Sequence, residues 1–499
     1  FSWLAPCVFG ISDDFSNYRI LRSVAYMRLT WLMALAGVWV VSYLCVRRYG
    51  KGLIGSLLCN IRRAYRPLLA VILLLSGNLL YVHQPFVDHS AAEFDFAYLF
   101  PSEYLETVTC SSRYADVCPD PKTGRVSGRA VFQLQNISGT EQTVQFFIDP
   151  GYQILSVQAD GVDVPFSVDG YQAMHEKRFD VTIPAGPEME LTIDYGGFPQ
   201  EWNAVATTQG SLEISDVYMQ LENDVLSPSP HNVWYQGDSL PAVMELTLSG
   251  HMKPILFGAG STELLRENGN GTKTWRMTDD GYHMIVYVGD YILEEIPVES
   301  AGITVNFYYS RKHQPIMEAI NATESIRQTI EYCTEHIGPL SFYGDGTFNL
   351  IESRISGGGY AGDGASLANE GDFTIQNLSD GAKGGSSAQV TIHELVHQWW
   401  GLGNMFESAY TESVWSAEGL TCYTTYRIVK ELYGEEAAQA AYIDRWQEEV
   451  DNYYKDFYVR HPEYLSALPV KYQAGISNSL WEIRKYSEMP LKILKAEKL

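Results

Sequence analysis

The sequence predicts an α+β multidomain fold: two transmembrane helices, then a β-sandwich-like domain, then a mostly α domain with a small sheet. Three observations predict it. Two long uncharged runs lie within the first 90 residues, apolar and polar side chains alternate over 125–310, and helical spacing takes over after Gln314. At 499 residues the chain exceeds one ordinary core. The expected divisions are 1–90, 91–310 and 311–499.

The first run, "LTWLMALAGVWVVSYLCV" from Leu29 to Val46, is long enough to cross a bilayer core, and "PLLAVILLLSGNLLYV" from Pro67 to Val82 is slightly shorter. Arg47, Arg48, Lys51, Arg62, Arg63 and Arg66 lie between them, whereas Asp88, Glu93 and Asp95 follow. Basic residues stay on the cytoplasmic side, so the connector is expected there and everything after residue 83 outside. Arg19, Arg22 and Arg28 on the N-terminal flank run against that bias. The chain is thus expected to be a multi-pass cell-membrane protein with an extracytoplasmic main body. Phe1 at the start and "LKILKAEKL" at the end mark it as part of a longer protein.

Charge separates these regions. Residues 1–90 hold nine Lys and Arg against three Asp and Glu, a net of +6 that leaves −31 of the total −25 for the remainder. So acidic a body excludes nucleic acid, whose phosphates require clustered cations. Hydrophobic content of 46% with 19% charged residues excludes a disordered chain. Cys110 and Cys118 in "TCSSRYADVC" are close in sequence and polar in surroundings, and an outward-facing disulfide between them is expected.

The β-rich domain rests on period-two patterns. "MELTIDY" puts Met189, Leu191, Ile193 and Tyr195 on one face, and "VMELTLSG" does so with Met244, Leu246 and Leu248. Asp160-Gly161 and "NGNG" at 268–271 signal hairpins, because these residues tolerate positive φ. Met317, Ile320, Ile326, Ile330, Cys333 and Ile337 then predict a helix stopped by Gly338. "FNLIES" reads as a strand, and a glycine-rich stretch at 355–388 leads to the words that carry chemistry.

Those words are "HELVHQWWG" from His393 and "WSAEGL" around Glu418. Helical positions four apart share a face, so His393 and His397 can offer two imidazoles to one tetrahedral zinc ion. Glu394 projects beside them, where it can take a proton from an attacking water. A third ligand is needed, and Glu418 stands near the start of a helix expected to end at Gly434.

Here the sequence resembles the aminopeptidase N-like metallopeptidases, peptidase family M1: gluzincins with a thermolysin-like catalytic domain behind a β-saddle. Trp415, Glu418 and Gly419 match the family's W-x-x-E-G word, which implies Glu418 as the third ligand. Twenty residues separate His397 from Glu418, where the family usually has about eighteen; a loop can absorb two. "RKYSEMPLKIL" resembles the Y-x-K-G helix, which implies Tyr486 as oxyanion stabiliser, although Glu488 and Met489 stand where Lys and Gly are preferred. The family's G-x-M-E-N word, a substrate-pairing strand with an amine-binding glutamate, falls on "ISGGGYAGDG". Gly357, Gly358, Gly359 and Tyr360 are therefore the expected substrate-binding positions. The glutamate is missing unless Asp363 or Glu370 replaces it.

The membrane region resembles the tail of an ABC-2-type permease, which implies an ABC-type ATPase subunit as partner. The resulting expectation is a membrane-tethered zinc metallopeptidase acting on peptides, aminopeptidase-like but altered in its grip on the amino terminus. The alternative is a non-catalytic, zinc-containing peptide-binding or sensor domain attached to a permease.

Overall fold

The computed structural model describes residues 12, 14–83, 93–94, 100–172, 176–199, 213–221, 226–235, 242–258, 260–279, 284–340, 346–354, 359–362, 364–370, 389–403 and 416–499. Its first unit is a helical hairpin. Helices Tyr18–Leu44 and Tyr65–Val82 are both long and apolar enough to cross a membrane. They touch through small residues. A Cβ on Gly37 would lie 2.7 Å from Leu74 Cγ, and one on Gly77 would lie 3.0 Å from the Ala34 nitrogen, the close approach that holds apolar helices together without a hydrophobic driving force. Leu35, Val38, Trp39, Leu75 and Leu79 face outward. The connector helix Leu53–Ile61 closes the turn through buried Asn60, whose amide donates to the carbonyls of Leu44 (2.9 Å) and Val46 (3.2 Å).

The β-domain is organised by the long strand Leu105–Asp120, paired antiparallel with Arg125–Asn136 and, on its other side, parallel with Ala242–Ser249. These belong to a nine-stranded sheet, accompanied by sheets of five and four strands. The alternation in the sequence becomes burial: Met189, Leu191, Ile193 and Tyr195 are buried, as are Met244, Leu246 and Leu248. Asp160 (φ 49°) and Gly161 (φ 77°) turn strand Tyr152–Ala159 into Val162–Asp163, and Gly271 (φ 83°) sits where Ser261–Glu267 returns as Thr272–Asp279. Both turns have the positive φ that those residues allow.

The expected disulfide is contradicted. Cys110 and Cys118 are both free, and both lie on the strand Leu105–Asp120. Eight residues along an extended strand span roughly 26 Å, several times the reach of a disulfide.

The catalytic half is built on a five-stranded sheet in the order Tyr291–Val298, Ile303–Ser310, Thr347–Ser353, Ala365–Asn369, Tyr360–Gly362. Its first two strands precede residue 310, so this sheet crosses the boundary expected there. The second, third and fourth strands are parallel, and Tyr360–Gly362 runs antiparallel at the edge. The helix expected from Met317 to Ile337 is two helices, Gln314–Ile320 and Ala322–His336, broken at Asn321 (φ 53°). Asparagine tolerates that left-handed conformation, so apolar spacing continues across a break it does not reveal. A small aromatic cluster of Phe15, Tyr218, Ile255, Phe257, Tyr287, Ile351 and Leu367 joins the β-domain to this sheet.

Candidate active site

His393 and Glu394 lie on the helix Gln389–Val396. His397 falls one residue past its end, yet its N–H still bonds the His393 carbonyl at 3.2 Å, which keeps the two rings on one face. The next bonds, Gln398 N to Leu395 O and Trp399 N to Val396 O, tighten the last turn. The rest of the word has work of its own. Buried Gln398 donates through its amide to the carbonyls of Gly362 (3.0 Å) and Ala365 (3.2 Å), tying the motif to the edge hairpin. Trp399 donates to Gly338 O (2.7 Å) and Trp400 to Thr424 Oγ1 (3.0 Å). Gly401 (φ 97°) reverses the chain against Ala417.

Glu418 is the first residue of the helix Glu418–Tyr433, which Gly434 ends. The structure brings it to the two histidines. His393 Nε2 lies 3.1 Å from His397 Nε2 and 3.2 Å from Glu418 Oε2, and His397 Nε2 lies 3.3 Å from that same oxygen. Tetrahedral zinc with bonds of about 2.0–2.1 Å spaces its ligand atoms about 3.3–3.4 Å apart. The donor triangle is already close to that size, so the three atoms could close on one ion with little movement. His393, His397 and Glu418 form a cluster able to hold a metal ion among the described residues.

The surroundings fix each donor. His397 Nδ1 lies 3.1 Å from Trp400 O and 3.2 Å from Thr421 Oγ1, so its proton belongs on Nδ1 and its Nε2 lone pair points inward. Cys422 Sγ lies 3.9 Å from His393 Nδ1. The other oxygen of Glu418, Oε1, accepts from Tyr486 Oη at 3.0 Å, with Lys485 Nζ at 3.5 Å. Burial opposes the charge on Glu418, but His393 and His397 beside its Oε2 outweigh it and hold the carboxyl well below its usual range. Burial raises the Glu394 carboxyl, as a proton acceptor working near neutrality requires. Burial, then the nearby Glu418 charge, pushes the Tyr486 hydroxyl far up, so it keeps its proton to donate.

Two π-helical segments face the site, a geometry common at functional positions. Gln439–Ile443 contributes Ala441 and Tyr442, and Arg484–Glu488 contributes Tyr486. The cleft they help to enclose has a volume of about 680 Å³. Gly359, Tyr360 and Ala361 form its wall on the edge-strand side, and a Cβ on Gly359 would fall 2.3 Å from Glu394 Cγ. Only a glycine lets the base sit there.

Residues 353–464 match the model of the Peptidase family M1 domain. That stretch holds His393, Glu394, His397 and Glu418, and the chain is a zinc metallopeptidase. The chain is also similar to the crystal structure of the M1 zinc metallopeptidase from Deinococcus radiodurans, at 16% identity over 71% of this chain and 77% of that one, with a TM-score of 0.44. It is similar too to native yeast LTA4 hydrolase, at 13% identity over 70% of this chain and 52% of that one, TM-score 0.44.

Of the positions read from the sequence of this peptidase domain, His393, Glu394, His397, Glu418, Tyr486, Gly359 and Tyr360 all line the cleft. Gly357, Gly358, Asp363 and Trp415 lie outside the described residues. Glu370 is not among the cleft-lining residues; its carboxylate accepts from Ser12 Oγ at 2.6 Å, so it does not replace the amine-binding glutamate. Sequence reasoning missed Thr421, Cys422 and Lys485. A signal for them existed: Thr421 and Cys422 follow Glu418 by three and four residues, one helical turn, and Lys485 precedes Tyr486.

Proposed function

We propose that the chain is a membrane-tethered peptidase whose cleft faces the extracytoplasmic side, aminopeptidase-like in chemistry but altered in how it holds a substrate's amino end. The observation that carries the reading is the convergence of His393 Nε2, His397 Nε2 and Glu418 Oε2 beside a buried glutamate. Zinc, when bound by those three residues, supplies the Lewis acid that lets water attack a peptide carbonyl near neutral pH. Glu394 takes the proton of the attacking water and returns it to the departing amide nitrogen. Tyr486, its proton held on by burial, donates to the carbonyl oxygen as negative charge grows there. The strand Tyr360–Gly362 stands at the edge of its sheet, where its outer backbone groups can pair with an extended peptide. A zinc-holding docking domain would have no use for Glu394.

With Tyr360 and Ala361 where the resembled family's glutamate would fall, another acid has to meet the substrate's cation. Among the described cleft residues, Glu482 is the carboxylate outside the donor triangle and its base. It stands one helical turn before Tyr486 and 3.7 Å from Lys485. We assign it the contact with a free amino terminus.

The hairpin supports the topology. Tyr26 Oη donates to His83 O at 3.3 Å, which keeps the start of one helix beside the end of the other, and Arg22 in the first helix donates to Thr123 O of the main body at 2.6 Å. The connector with its six basic residues lies at the other end, which the positive-inside bias places in the cytoplasm. The permease-like character of this region makes an ABC-type ATPase subunit its partner.

The test is hydrolysis of matched peptides with free and acetylated amino termini by the zinc-loaded chain. The free form is cleaved faster, and Glu482→Gln narrows the difference. Equal rates for both peptides in the wild type would replace the aminopeptidase-like reading with an endopeptidase.

A further inference from the structure

The segment that leads into the first membrane helix reaches the substrate edge of the catalytic sheet. Ser12 and residues 14–17 brace one another. Ser12 Oγ accepts from the backbone of Phe15 (2.6 Å) and Asp14 (3.2 Å), and the Asn17 side chain bonds both backbone groups of Ser12, at 2.9 and 2.8 Å. Asn17 is also the residue from which the helix Tyr18–Leu44 starts. The segment is therefore rigidly continuous with that helix.

The segment grips the peptidase domain at three places. Ser12 Oγ donates to Glu370 Oε2 at 2.6 Å, and the Arg354 guanidinium donates to Asn17 Oδ1 at 3.0 Å. Lys312 Nζ lies 3.3 Å from Asp14 Oδ1. Arg354 and Glu370 each stand one residue beyond a register pair, Ser353 and Asn369, of the adjacent parallel strands Thr347–Ser353 and Ala365–Asn369. The described residues between Arg354 and Glu370 include Gly359, against Glu394, and the edge strand Tyr360–Gly362. Phe15, 5% exposed, is buried in the cluster that includes Leu367 of the neighbouring strand, with ring centroids 4.5 Å from Tyr218 and 6.0 Å from Tyr291. The same aromatic cluster holds Phe257, whose ring lies 5.5 Å from Tyr360.

We propose that Ser12, Phe15 and Asn17 are positioning residues that hold both ends of the substrate-pairing segment, so that the membrane hairpin sets the place of that strand in the cleft. This rests on the reading of Tyr360–Gly362 as the substrate strand. Displacement of the helix Tyr18–Leu44 would move the strand directly through Glu370 and Arg354, and would reach the zinc ligands, which sit on other elements, only indirectly through Gln398 and Ser366.

The experiment uses the full chain in detergent with zinc bound. In the double variant Ser12→Ala, Asn17→Ala, backbone amides of 360–362 and 365–369 exchange hydrogen about tenfold faster, while those of 291–298 and 303–310 do not change. KM for a peptide rises about tenfold, kcat changes less than twofold and zinc content stays the same. Ser12→Thr, which keeps the hydroxyl, restores protection and KM. Phe15→Leu, which keeps most of the buried side chain, gives an intermediate effect, and is informative should Phe15→Ala fail to fold. Unchanged exchange at 360–369 in the double variant would overturn the proposal, as would faster exchange spread evenly over all five strands. If the wild type cleaves no peptide, the peptidase reading fails but the exchange measurement still decides whether Ser12 and Asn17 hold this edge.

Discussion

Adding one methyl group at Gly359 should disable the enzyme without disturbing its metal. The Cβ of Gly359→Ala would lie 2.3 Å from Glu394 Cγ, 2.5 Å from Oε1 and 2.6 Å from Cδ. Carbon atoms rest about 3.5–4.0 Å apart, so the carboxylate has to retreat by about an ångström or more. It has little room, since Glu394 is only 7% exposed and its backbone carbonyl is held by Ser366 Oγ at 2.9 Å. Overpacking of this kind costs about 1–3 kcal/mol. A misplacement of about 1 Å in a catalytic group costs about 100-fold in rate, equivalent to about 2.7 kcal/mol. The misplacement predicts a fall of about 100-fold in kcat/KM, with zinc near one per chain because the donor atoms lie on His393, His397 and Glu418. Peptide hydrolysis and metal analysis on the same preparation measure it. Gly475→Ala is the control: its Cβ meets nothing within 4 Å on the helix Val470–Ile483, so activity stays unchanged. Wild-type activity in Gly359→Ala, or loss of zinc together with activity, would refute the packing argument.

Other consequences are as specific. Gln398→Ala removes the amide donor to Gly362 and Ala365 and is expected to destabilise the fold by about 1–3 kcal/mol, read from a denaturant midpoint. Its KM should rise more than its kcat falls, since the edge hairpin loosens before the zinc ligands do. Thiol labelling of the native chain should modify Cys118 and spare Cys110, whose thiol burial pushes up to about 12; a reductant should leave the melting temperature unchanged, and a shift would restore the disulfide. The Glu488 carboxyl is lowered: burial opposes its charge, but bonds from Tyr454, Lys492 and Arg484 outweigh it. A depressed carboxyl contributes stability that is complete above its unfolded value, about 4.3, and is lost as pH falls through the lower folded value. Melting temperature should thus drop more steeply in acid for the wild type than for Glu488→Gln.

What the sequence made legible were features carried by local spacing. His393, Glu394 and His397 are set by one helical turn, Asp160-Gly161 by its φ preference, and Met189 through Tyr195 by strand alternation. Glu418 and Tyr486 were legible only as words, because nothing local says that a residue 21 positions on, or 89, returns to the same ion. Features that depend on tertiary placement were not legible. Cys110 and Cys118 are neighbours in sequence but far apart on an extended strand. Asn321 interrupts a helix whose apolar spacing runs on. The strands Tyr291–Val298 and Ile303–Ser310 alternate like the β-domain before them, and only their pairing with Thr347–Ser353 assigns them to the other sheet. Glu488, which replaces the lysine of the resembled word, looked like a defect; it accepts from Tyr454 at 2.7 Å and holds the π-turn that presents Tyr486.

The most direct test of the central claim compares the wild type with Glu394→Gln, both loaded with one zinc per chain, on a broad library of unstructured peptides. The account predicts cleavage by the wild type and a loss of about 100- to 10,000-fold in the variant at equal zinc content. A zinc-loaded wild type that cuts no peptide and cannot be told from Glu394→Gln would contradict it.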